Sequence, residues 1–84
     1  MERVPLSSAT LASAGYDLDR CQLELEFHSG KRYLYFQVPR HCYEELLQAE
    51  SKGGYFNRNI RNRFAFQDLS APSAPIVLPV NQTK

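Results

Sequence analysis

QLELEFHSGKRYLYFQV, residues 22–38, is the part of the chain on which the fold depends most. Its beginning, LELEF, alternates apolar residues with glutamates, and this period of two is typical of a strand with one buried face. Ser29-Gly30 follows as a hairpin turn signal. Residues 32–38, rich in aromatic side chains, then predict the antiparallel return strand.

The length of the turn determines which side chains the hairpin buries. A two-residue loop places Leu34 and Phe36 on the face of the LELEF leucines. A three-residue loop places Tyr33 and Tyr35 there instead, because a slip of one residue exchanges the two faces of a strand. The residues by themselves leave both registers open.

On the N-terminal side of the hairpin, residues 10–16 predict a strand of weak propensity, because its side chains are small. Residues 1–8 have no period, and we expect a frayed terminus. On the C-terminal side, Pro39 begins a helix of about eleven residues at its first position. The apolar arc of this helix is formed by Cys42, Tyr43, Leu46, Leu47 and Ala49.

A second, shorter helix is predicted over residues 55–62, after Gly53 and Gly54 end the first. Phe56 and Ile60, spaced four apart, should face the core. Residues 64–68 alternate again and predict a last strand. The expected fold class is therefore α+β, with an antiparallel sheet of three to four strands and two consecutive helices on one face (β-β-β-α-α-β).

Residues 1–69 form the predicted single domain, and residues 70–84 a proline-rich tail that is flexible or extended. The apolar run Ile76-Val77-Leu78 offers an alternative, a strand that docks on its own domain or on a neighbour. Composition agrees with one small domain: 84 residues, 43% of them hydrophobic, and a net charge of +1.

The lengths of the apolar segments and the two cysteines predict where in the cell the protein is located. No stretch reaches the length of a membrane span, no signal peptide is evident, and we expect a cytoplasmic location. Cys21 and Cys42 are interpreted as reduced thiols, with a bridge between them as the alternative.

The segment SKGGYFNRNIRNRF, residues 51–64, concentrates positive charge. It contains four of the ten basic residues and no acid, so the remainder has six basic residues against nine acids. Such a cluster suits a phosphate-bearing partner, nucleic acid above all. Arg58 and Arg61 fall on the helix face opposite Phe56 and Ile60. The candidate contacts are Arg58, Arg61, Arg63 and Lys52, with Tyr33 and Tyr35 as additions.

Each of these residues has a structural alternative. Tyr33 and Tyr35 either stack nucleobases or pack beneath the helices with their hydroxyls at the edge. Arg58 and Arg61 either bind adjacent phosphates or form a solvated face paired with glutamates. The asparagines of the segment suit caps and turns as well as base edges.

These signatures together resemble the KTSC family, a small domain named after the C-terminus of some lysyl-tRNA synthetases. The resemblance covers about residues 7–69, in the order SS, AGYD, LELEF, YLY, VP and SKGGYFNRNIRNRF. It implies a small α+β domain with a proposed RNA-binding role and no catalytic residues. The family's Y-x-Y tyrosines favour the longer hairpin loop. Phe64, where tyrosine is expected, and the proline-rich tail depart from the pattern.

Catalysis and metal binding find little support in the residues. His41 and Cys42 are adjacent in a helix, so their side chains should diverge, and no nucleophile–base pair is expected. Cys21, His28, His41 and Cys42 lack zinc-site spacing. We therefore predict no enzyme, no catalytic residues, no metal, no cofactor, and no small-molecule substrate or membrane as partner.

Two functions remain after this exclusion. The first is a nucleic-acid-binding accessory module, for RNA such as tRNA, that uses a basic helix face. The alternative is a protein-interaction or dimerisation module that uses a sheet edge and the C-terminal tail.

Overall fold

The computed structural model describes residues 2–71 and 73–79, which form a six-stranded antiparallel sheet with two helices on one face. The strands lie side by side in chain order, and the helices connect the fourth strand to the fifth. The elements are β1 (Glu2–Pro5), β2 (Leu11–Asp17), β3 (Gln22–Phe27), β4 (Arg32–Tyr35), α1 (Arg40–Gln48), α2 (Lys52–Asn59), β5 (Phe66–Asp68) and β6 (Ile76–Val77). In the described part of the chain, no helix has the length and apolarity that crossing a bilayer requires.

The β3–β4 hairpin adopts the longer of the two loops. Leu23 lies opposite Tyr35 and Leu25 opposite Tyr33, so the leucines and tyrosines share one face. The backbone N–H of Phe27 donates to the carbonyl of Lys31 at 2.9 Å, which closes a three-residue loop. The last loop residue, Gly30, has a φ of +96°, a conformation that glycine adopts without steric cost.

Strand β2 reaches the same face through a bulge. Ala14 pairs with Leu25 and Leu11 with Phe27, and the register shifts between Leu11 and Ser13. The extra residue brings both Leu11 and Ala14 onto the helix side although they are three apart. The core on this side consists of Leu6, Leu11, Ala14, Leu23, Leu25, Tyr35, Val38, Leu46, Phe56 and Ile60.

The expectation of a frayed N-terminus is wrong, because Glu2–Pro5 pairs along its whole length with β2. The side chain of Arg3 helps to hold this strand on the sheet. Its Nη2 donates to Glu24 Oε2 at 2.6 Å on the face away from the helices. Arg32 approaches the same carboxylate from β4 at 3.7 Å. Ser13 joins the network by donating to Glu26. A charged layer thus links β1 to β4 across the open face of the sheet.

The two helices cover the other face, and α2 differs from its predicted bounds. It begins at Lys52 rather than residue 55, because Ser51 Oγ accepts the backbone N–H of Gly54 as an N-cap. Gly53 therefore lies inside the first turn, where an added Cβ would come within 3.0 Å of Thr10 Oγ1. Close packing against the β1–β2 loop, and not the end of a helix, accounts for this glycine.

Helix α1 has nine residues rather than about eleven, and it agrees with four members of its predicted arc, because the fifth, Ala49, lies at the C-cap. Leu46 is fully buried, and Cys42, Tyr43 and Leu47 pack against the core. Pro39 stands at the N-cap, so the helix begins one residue later, at Arg40.

The sheet has six strands, not three to four, because a strand is added at each edge. Besides β1, Ile76–Val77 pairs with Phe66 and Gln67 of β5. This strand is the docking alternative predicted for the tail. The proposed boundary at residue 69 stays a prediction, and positions 72 and 80–84 of the tail lie outside the described residues.

The charged layer gives a stability prediction. We expect Glu24→Gln to lower the free energy of unfolding by about 1.5–3 kcal/mol, because a hydrogen bond to a charged partner contributes that much. Urea denaturation measures the loss. Glu44→Gln is the matched control, since Glu44 pairs with Arg40 on an exposed helix turn at 2.8 Å and such a pair contributes only about 0.3–0.5 kcal/mol. Equal losses in the two variants would contradict the structural role of Glu24.

Candidate functional site

A cavity of about 440 Å³ opens between α2 and the sheet, and we call it the aromatic cleft. Its aromatic lining is buried or half-buried and forms the floor, whereas its polar lining is exposed and forms the rim. The floor consists of Phe27, Tyr33, Tyr35, Phe56 and Phe66, and the rim of Thr10, Asn57, Arg61 and Asn62.

The floor is held rigid by edge-to-face ring contacts. The Tyr33 ring lies 5.6 Å from Phe27 and 5.4 Å from Phe66, near perpendicular to both. The Tyr35 ring packs in the same manner on Phe56 at 5.8 Å. Both tyrosines thus pack beneath the helices, as one of the two predicted alternatives has it, and the stacking of nucleobases on them stays a prediction.

The hydroxyls of these tyrosines remain available in the cleft. Among the described residues, neither Tyr33 nor Tyr35 donates or accepts a hydrogen bond through its hydroxyl. No buried side-chain polar atom in that part of the chain lacks a partner, so the Tyr35 hydroxyl must reach the cleft's open space. Burial raises the pKa of Tyr35 well above its ordinary value, and the Tyr33 hydroxyl adds to the increase. Tyr35 is therefore a neutral donor and acceptor at physiological pH.

Among the basic residues predicted as phosphate contacts, Arg61 lines the same cleft as Tyr33 and Tyr35. It lies in the turn after α2 rather than on the helix, and its backbone N–H donates to the Phe56 carbonyl at 2.8 Å. Arg61 lines the cleft, and its positive charge acts against the rise in the pKa of Tyr35. Asn62 follows with a φ of +64° and turns the chain away.

The remaining predicted cations surround the cleft without lining it. Arg58 and Arg63 are exposed. Lys52 lines a second cavity of about 380 Å³, where its Nζ donates to the Ala49 carbonyl at 2.9 Å. The second cavity adjoins the aromatic cleft, because Thr10 and Asn57 line both.

The arginines of residues 51–64 differ from the other arginines in their salt bridges. Salt bridges within the described ranges involve Arg3, Arg20, Arg32 and Arg40, and none involves Arg58, Arg61 or Arg63. Of the predicted alternative for Arg58 and Arg61, the pairing with glutamates is therefore wrong, although both side chains are exposed to solvent. Those glutamates have other partners: Glu24 and Glu26 face Arg3, and Glu44 faces Arg40.

The asparagines divide between two roles that the sequence left open. Asn59 donates from its side-chain amide to the Tyr55 carbonyl at 3.3 Å, a local helix contact. Asn57 and Asn62 line the aromatic cleft instead, as does Thr10. The sequence left the asparagines open between caps and base edges, and it did not place Thr10, Phe27 or Phe66 in a site.

The histidine and cysteines offer no activated nucleophile. The structure brings His41 Nε2 within 3.8 Å of Cys42 Sγ, closer than the predicted divergence. Burial nevertheless raises the pKa of the Cys42 thiol, which favours the protonated form over the nucleophilic thiolate. Both cysteines are free thiols. In the described ranges, no group of three or more histidine, cysteine or acidic residues is arranged to hold a metal.

The fold and the site define a small α+β domain with an aromatic cleft and a basic turn, and comparison with known proteins identifies it. The KTSC domain model matches residues 7–64, and the chain belongs to the KTSC domain family. A crystal structure of a KTSC domain protein from Yersinia pestis is 35% identical, with a TM-score of 0.76 over 80% of this chain and 94% of that chain.

Two relatives show where such domains occur. An uncharacterised protein of Stutzerimonas stutzeri strain A1501 is 47% identical over 58 residues, which are 69% of this chain and 82% of that protein. A lysine–tRNA ligase of Nostoc punctiforme is 44% identical over 55 residues, 66% of this chain but only 10% of the ligase. The KTSC family consists of small domains and is not a known catalytic family.

The turn that carries Arg61 depends on the left-handed backbone of Asn62. We expect Asn62→Ala to lower the free energy of unfolding by up to about 1 kcal/mol, because the left-handed conformation strains alanine more than asparagine, which tolerates it. Asn62→Gly removes the same amide without that strain and should be the more stable of the two variants. Thermal denaturation ranks them, and a more stable alanine variant would contradict the role given to this backbone conformation.

Proposed function

We propose that this protein is a non-catalytic accessory module that binds RNA, tRNA included, in the cytoplasm. The observation that carries the proposal is that Arg58, Arg61 and Arg63 form no salt bridge within the described part of the chain, while Arg61 lines the aromatic cleft. Free arginines beside aromatic side chains are the combination that RNA-binding surfaces use.

Electrostatics supports a local contact rather than general attraction. The net charge of +1 gives the molecule no overall field toward a polyanion. Glu24, Glu26 and Glu44 are paired with Arg3, Arg32 or Arg40, so these glutamates do not neutralise the arginines of residues 51–64. A guanidinium without an internal partner has its full set of donors for phosphate oxygens.

The relatives support the same function from outside the molecule. One of them is named a lysine–tRNA ligase, and this chain matches about a tenth of its length. A domain attached to an enzyme that acts on tRNA suits a role in holding the RNA. The match to an uncharacterised protein of similar size agrees with a module that also occurs alone.

Binding of labelled tRNA and of short single-stranded RNA, measured by fluorescence anisotropy at low salt, tests this function. We expect Arg58→Ala/Arg61→Ala to weaken binding to all sequences and to reduce the salt dependence, because each lost phosphate contact on a single strand reduces the slope by about 0.7. Arg20→Ala/Arg40→Ala is the control with the same change in charge, since both arginines have internal partners.

Two outcomes would count against RNA binding through this surface. The first is no detectable complex at tens of micromolar protein in low salt. The second is an equal loss of affinity in the two double variants, which would reduce the effect to total charge.

A second function is favoured by one observation at the edge of the sheet. Ile76, Val77 and Leu78 expose 53%, 44% and 75% of their surface on and beside β6, the outermost strand at that side. An unpaired strand with apolar side chains accepts a further strand from another chain. This edge supports a protein-interaction or homodimerisation module as the alternative.

Sedimentation velocity over a range of concentrations tests the edge. If it forms a homodimer, the chain should show a concentration-dependent rise in sedimentation coefficient that Ile76→Ser/Leu78→Ser abolishes. Leu18→Ser is the control, since Leu18 is a 58% exposed hydrophobic residue in the β2–β3 turn. A monomer at every concentration would exclude homodimerisation through this edge.

A further inference from the structure

The aromatic cleft contains more unused hydrogen-bonding groups than a packing defect would. In the described part of the chain, no side-chain hydrogen bond is made by the two tyrosines of the floor or by the four polar residues of the rim. Elsewhere, exposed polar side chains such as Arg40, Ser51 and Asn59 do have an internal partner. Six available polar side chains thus converge on one cavity.

The size and lining of the cleft fit one planar ring system. Its volume of about 440 Å³ lies within the range of roughly 300–1,000 Å³ that small-ligand sites occupy. The floor is entirely aromatic, which favours a flat, polarisable group over an aliphatic one. Phe27 and Phe66 close the floor on either side of Tyr33.

The polar groups match a heterocycle with mixed donors and acceptors. The amides of Asn57 and Asn62 each present a donor and an acceptor, and the tyrosine hydroxyls can do either. Such groups read the edges of nucleobases in single-stranded RNA. Arg61, in contrast, carries donors only and suits a phosphate at the mouth of the cleft.

We propose that the aromatic cleft binds one unpaired base of a single-stranded RNA, with Arg61 on the adjoining phosphate. This inference rests on the proposed RNA-binding function and specifies its ligand. A base within a duplex has its pairing edge occupied and its faces stacked, so it cannot enter. The second cavity continues the path of the strand past Thr10 and Asn57 toward Lys52.

Three forms of one labelled oligonucleotide test the proposal by anisotropy titration. These are a short RNA single strand of mixed sequence, the same strand paired with its complement, and a strand of the same length in which every base is replaced by an abasic ribose. We expect the single strand to bind roughly 10-fold or more tightly than either of the others, since contacts to a single base have that effect. The abasic strand is the decisive probe because it retains every phosphate.

Helix α2 offers a matched pair of variants. Asn57→Ala removes a rim amide, whereas Asn59→Ala removes an exposed amide two residues along that contacts only the Tyr55 carbonyl. Both replacements favour a helix, so both variants should fold. Asn57→Ala should weaken binding of the single strand several-fold and leave the abasic strand unaffected, while Asn59→Ala should change neither.

The possible results distinguish a failure of the cleft proposal from a failure of RNA binding itself. If single, paired and abasic strands bind with equal affinity and the arginine variants still matter, the cleft proposal is overturned and RNA binding stands. If the single strand is preferred but Asn57→Ala has no effect, the base lies elsewhere and the cleft proposal is again overturned. If none of the three binds at low salt, RNA binding itself is overturned.

Discussion

The register of the β3–β4 hairpin is the constraint on which the rest of the structure depends. Three loop residues, with Gly30 at a φ of +96°, place Tyr33 and Tyr35 on the face of Leu25 and Leu23. With one loop residue fewer, Leu34 would replace the tyrosines beneath the helices, and their hydroxyls would point away from α2. The core and the aromatic cleft therefore depend on the same turn.

The residues around the end of α2 contribute both to the core and to the lining of the cleft. Phe56 and Ile60 are buried and hold the helix against the sheet. The helix stops at Asn59, and the backbone of Arg61 returns to the Phe56 carbonyl. Arg61 thereby lines the same cleft as the tyrosines, although it is distant from them in sequence.

The two faces of the sheet have separate roles. On the face without helices, Arg3 and Arg32 approach Glu24, which leaves a layer of paired charges. A sheet that stacks bases exposes its aromatics on the open face, and this one has a charged layer there. The unpaired Arg61 and the polar rim residues lie on the helix side instead, where the aromatic cleft opens between α2 and the sheet.

The sequence by itself determined the β3–β4 hairpin, the apolar arc of α1, the burial of Phe56 and Ile60, and membership of the KTSC family. These follow from local periodicity and from short motifs, which are properties of neighbouring residues. Only the tertiary structure decided the edge strands β1 and β6, because backbone pairing to an edge requires little side-chain pattern. It also decided the start of α2, where Gly53 is needed because a Cβ would come too close to Thr10. It likewise placed Arg61, Tyr33 and Tyr35 in the lining of one cleft, because only the packing of α2 on the sheet brings these residues together.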